Sequence, residues 1–125
     1  MSVEVVVTGI GATTPLGGDA MSTWDAMLAG KSGVSPLTQD WAAQLTVRIA
    51  AQLAVEPTEK IDRVQARRLD RSEMTAIIAA REAWADAGSP DVDKDRLAVS
   101  VGTGIGGAQT LLNQDDILEQ SGPRR

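Results

Sequence analysis

There is no cysteine and no histidine among the 125 residues. The first absence excludes a disulfide framework, a thiolate metal site and a cysteine nucleophile within this stretch. The second removes the commonest general base at neutral pH. Tyrosine and phenylalanine are missing as well, so the aromatic residues are Trp24, Trp41 and Trp84 alone. A core must therefore be assembled from Val, Ile, Leu, Ala and Met, whose small side chains suit helices packed closely on a sheet. Positive charge is in deficit, with 12 Lys and Arg against 17 Asp and Glu and a net charge of -5, which speaks against non-specific binding to nucleic acid or anionic lipid. No apolar run approaches the roughly 20 residues that cross a bilayer. The opening MSVEVVVTGIG lacks the basic-then-apolar order of a signal peptide, so a soluble cytoplasmic protein is the default expectation.

What is present is organised around Leu97 to Gly107, LAVSVGTGIGG, where a valine-rich run passes into a glycine-lined turn and then into a helical pattern. A buried strand ending in such a turn is how an α/β sheet opens room at its edge for a ligand. Val3 to Val7 is likewise almost continuously apolar and β-branched. It reads as a buried strand broken by Thr8-Gly9-Ile10-Gly11. Asp19 to Leu28 reads as a helix, with Ser22 and Asp25 resembling a capping box and Gly30 as the stop. Lys31 to Pro57 is irregular, with Thr46 to Val55 as a loose strand candidate. From Ile61 to Ala87 the period is helical: Arg63, Arg67 and Arg71 recur at i, i+4 and i+8, followed by an apolar stripe of Met74, Ile77, Ile78, Ala80 and Trp84. Gly88-Ser89-Pro90 ends it, Asp91 to Asp95 is a polar turn, and Gln109 to Glu119 is a last helix. This order predicts an α/β fold, a parallel sheet with helical crossovers. Two or three strands make a poor isolated sheet, so the expectation is one incomplete domain spanning residues 1–125.

Gly102, Gly104 and Gly107 fit G-x-G-x-x-G between a strand and a helix, the context of a dinucleotide site. The first turn, Gly9-x-Gly11-x-x-Thr14, misses the third glycine. No carboxylate stands at a strand end about 20 residues after the glycines of the second turn. A tight turn that needs positive φ explains the same glycines with nothing bound.

The order of the motifs carries further. VVVTGIGATTPLG, STWDAMLAGKSGV, RRLDRSEM, VSVGTGIGGAQTLL and SGPRR, in that order, resemble the opening quarter to third of a β-ketoacyl-acyl carrier protein synthase, most closely the elongating kind of type II fatty-acid synthesis. The resemblance implies a thiolase-like fold of five α-β-α-β-α layers, a homodimer, and a decarboxylative Claisen condensation with no cofactor. In that family a cysteine takes the acyl chain from the carrier protein and two histidines assist decarboxylation of the malonyl-loaded carrier. Those three residues lie past the matching segment, so no catalytic residue is assigned here. A non-catalytic chain-length factor of the same fold is an alternative, as is a dinucleotide-binding domain.

Two sets of residues follow from the resemblance. Ile105, between Gly104 and Gly106, corresponds to a side chain that lines the acyl pocket and swings to admit the growing chain, with Leu111 nearby. Ordinary core packing is the competing reading of Ile105. Arg67, Arg68, Arg124 and Arg125 match positions that would dock the acidic carrier protein and its phosphopantetheine arm. A solvated face, or pairing with Asp62, Asp70 and Glu73, is the alternative for the arginines near residue 67.

Overall fold

The computed structural model describes residues 3–123. Its longest helix, α4 (Arg71–Asp86), is the element on which most of the rest leans. The helix starts where it does because Asp70 caps it: the carboxylate accepts from the Ser72 amide at 2.7 Å while Glu73 accepts from the Asp70 amide at 2.7 Å. This capping box satisfies amides that the first turn leaves without an intrahelical partner. Ahead of it lie two single-turn helices, α2 (Pro57–Lys60) and α3 (Arg63–Ala66), the first opened by a fully buried proline and the second capped by Asp62. Ile61, Met74 and Ile78 form the buried cluster, with Ala66, Leu69 and Ile77 packed against it.

Helix α1 (Ala20–Leu28) buries Ala26 and stops at Gly30, whose φ of 65° suits glycine best. Its capping box is Asp19 with Ser22, one turn earlier than the expected Ser22 with Asp25. The excursion that follows carries a two-stranded antiparallel pair, β1 (Ser35–Pro36) with β2 (Ile49–Ala50), Ser35 facing Ala50 and Pro36 facing Ile49. A 3₁₀ turn, Asp40–Gln44, lies between them and buries Ala42. The chain closes with α5 (Ala108–Ser121).

Several sequence expectations are corrected. Val3 to Val7 and Leu97 to Val101 run without ladder partners, and no parallel pair occurs among the described residues. A strand is a property of pairs: β-branched residues favour extended backbone, but the ladder needs a neighbour offering its own N–H and C=O groups. Of Thr46 to Val55 only Ile49–Ala50 pairs. The single helix expected from Ile61 to Ala87 is broken, because Asp62 and Asp70 each cap a new start. In the apolar stripe Met74 and Ile78 are buried and Ile77 is half-buried, whereas Ala80 and Trp84 face outward.

The solvent-accessible surface measures 10326 Å². A compact monomer of this mass exposes about 6,400 Å², so roughly 4,000 Å² is surplus. Much of that surplus is apolar. Val3 is 89% exposed and Val99 83%, and α5 buries none of its side chains, Leu111, Leu112 and Leu118 included.

Candidate functional site

Two glycine turns meet over α4. The first, residues 9–14, lies directly on the helix backbone. A Cβ on Gly9 would collide with the Ala83 carbonyl oxygen and one on Gly11 with that of Ala79. Only glycine permits this approach. Two carboxylates of α4 then hold the turn: Asp86 accepts from the Ile10 amide at 2.9 Å and Glu82 accepts from the Ala12 amide at 2.8 Å. The other oxygen of Glu82 accepts from the Ala20 amide at 2.8 Å, fixing the start of α1 to the same point.

The second turn, residues 102–107, leads into α5. Thr103 accepts from the Gly106 amide at 2.9 Å, and Gly106 takes a φ of 69°. Gly107 is the residue before α5 and sits against Asp70, whose carboxyl carbon lies 2.6 Å from where a Cβ would stand. Asp70 Oδ2 accepts from the Thr110 hydroxyl at 2.6 Å. One carboxylate thus caps α4 and grips the first turn of α5. The Thr110 hydrogen bond, helped by the Ser72 amide, holds its pKa down at about 2.

Between the two turns lies an open cleft of about 1220 Å³, walled by Thr13, Ile77, Val101, Thr103 and Leu111 among others. Of the residues expected at an acyl pocket, Gly106 and Leu111 line this cleft. Gly104 and Ile105 do not, and Ile105 is 81% exposed at the tip of its turn.

The arginines separate. Arg63 belongs to α3, Arg67 follows its end and Arg71 opens α4, so the three do not share one helix face. Arg71 is taken by Glu56, at 2.5 and 3.1 Å, and not by Asp62, Asp70 or Glu73. This bidentate pair lowers the pKa of Glu56 and raises that of Arg71. Arg67 and Arg68 are exposed, and no ion pair holds either among the described residues. Arg124 and Arg125 lie outside the described residues.

Dinucleotide binding through the second turn requires the phosphate to meet free amides at the start of α5. That position faces the Asp70 carboxylate, whose negative charge repels a phosphate there. No group of His, Cys, Asp and Glu side chains able to hold a metal occurs among the described residues, and none of the described helices is long and apolar enough to cross a membrane. The cleft wall combines apolar side chains such as Ile77, Val101 and Leu111 with the hydroxyls of Thr13, Thr103 and Thr110 and the carboxylates of Asp70 and Glu73. Glu82 and Asp86 do not emerge from the sequence, and Asp70 does so only as a partner for the arginines, not as the cap and grip it forms. Asp70 had a local signal, an acidic residue followed three positions later by Glu73. The two α4 carboxylates had none, since their partners lie 70 residues or more away in Ala12 and Ile10.

The family model described as Beta-ketoacyl synthase, N-terminal domain, matches residues 2–124. The chain is 38% identical over 125 residues to 3-oxoacyl-[acyl-carrier-protein] synthase 2 of Coxiella burnetii, an alignment covering 98% of this chain and 30% of that protein. It is 39% identical over 121 residues to the synthase of the same name from Mycobacterium leprae, covering 95% and 29%. To that of Staphylococcus aureus it is 38% identical over 128 residues, covering 99% and 31%. The chain thus spans about 30% of the length of these relatives.

Proposed function

The chain belongs to the β-ketoacyl synthase family, within its N-terminal domain, and on that footing we propose that the full-length protein is a condensing enzyme that lengthens acyl chains on a carrier protein. In the reaction a cysteine thiolate first takes the acyl group from its carrier. Malonyl-carrier protein then loses CO2, and the enolate carbon attacks the acyl thioester. A 3-oxoacyl-carrier protein forms and the cysteine thiolate is released. The cysteine and the two histidines belong to parts of the protein outside these 125 residues, which contain neither type. The remaining binding energy and shape come partly from here.

The match to synthases along nearly the whole chain carries this reading. The surplus surface supports it physically. Two unpaired valine segments and a helix with no buried side chain are what an α/β layer looks like when the strands and helices beside it come from elsewhere. The full protein then takes the five-layered thiolase-like arrangement, acts as a homodimer and works in the cytoplasm. Residues 1–125 form the first part of its N-terminal domain. Ile105, with Gly104 and Gly106 giving it room, borders the acyl pocket once neighbouring layers cover the turn, and Leu111 lines it from α5. Arg67, Arg68, Arg124 and Arg125 receive the acidic carrier protein that delivers both acyl and malonyl groups. The test is to supply the full-length protein with acyl- and malonyl-carrier protein and follow CO2 release and 3-oxoacyl product. Product from both substrates supports the reading, and no product from a folded protein overturns it.

A further inference from the structure

We draw no further inference here: the strongest candidate, the open cleft of about 1220 Å³ between the two glycine turns over α4, belongs to the site already described, and nothing in the structure shows whether an acyl chain or the other layers of the full-length protein fill it.

Discussion

Glu82 reaches from the middle of α4 to the amide of Ala20, 2.8 Å away, while its second oxygen takes the amide of Ala12 at the same distance. One half-buried carboxylate thereby joins three segments that the chain visits 62 and 70 residues apart. Neither amide has a helical partner, since one belongs to a turn and the other opens α1.

Replacing Glu82 by Gln keeps the size and leaves one acceptor for two donors. An unsatisfied, partly buried amide costs about 1–3 kcal/mol, and the half-exposed site places Glu82→Gln near the lower end. Urea unfolding of the full-length protein measures it, and a midpoint equal to wild type would show the two bonds to be dispensable.

Gly11→Ala tests the close approach of the first turn to α4. The added methyl runs into the Ala79 carbonyl, a backbone atom that cannot swing aside. Overpacking of this kind costs about 1–3 kcal/mol, seen as a lowered thermal midpoint. Gly104→Ala, in open space with ordinary φ, leaves that midpoint within about 0.5 kcal/mol of wild type.

Acid should act on Asp70 in a defined window. Its folded pKa, about 2, lies below the ordinary value of 3.8, with the Thr110 hydrogen bond the leading cause. A depressed carboxylate favours the folded state above the unfolded pKa, and that contribution is lost as pH falls from 3.8 toward about 2. Asp70→Asn flattens stability against pH over this interval, and Thr110→Val shifts the loss to higher pH. A wild-type acid transition unchanged in both variants would contradict the assignment.

Charge reversal at Arg67 and Arg68 bears on carrier docking. Exposed charges act mainly on encounter and are screened by salt. The double change to Glu therefore raises KM for carrier protein about tenfold at low ionic strength and far less in high salt, with kcat nearly constant. A KM indifferent to the change removes these arginines from the docking surface.

Ile105→Phe addresses the acyl pocket. If Ile105 borders the pocket as proposed, a larger ring there narrows the space for long chains, so the product distribution shifts toward short ones by about tenfold while short primers still react. An unchanged distribution places Ile105 outside the pocket.

The helices were legible from the sequence and the strands were not, for one physical reason. Caps and stops are local: Gly30 and Gly88 end α1 and α4 with positive φ, as their positions suggest, and α5 falls within a residue or two of the expected span. The Asp70 cap is also local and outcompetes the continuing 3.6-residue period, which is why Arg63, Arg67 and Arg71 looked like one face and are not. Valine runs announce only a willingness to be extended. Whether Val3 to Val7 or Leu97 to Val101 becomes a strand depends on residues that lie elsewhere. Within the candidate site the glycine turns were visible singly, but their meeting across α4 depends on Glu82 and Asp86 reaching over 70 residues or more.

The bare valine segments set a problem of timing. Where this segment opens a protein of the relatives' length, as proposed, more than two thirds of the chain is still to be made when Gly107 appears. At 5–20 residues per second, that is on the order of 15–60 s of waiting for a nascent chain of this kind. Short, proline-free β-formers with open edges, Glu4 the one charge in either segment, are prone to seed aggregates during such a delay. Chaperone depletion is accordingly expected to lower the soluble yield of newly made protein before it alters the activity of what survives.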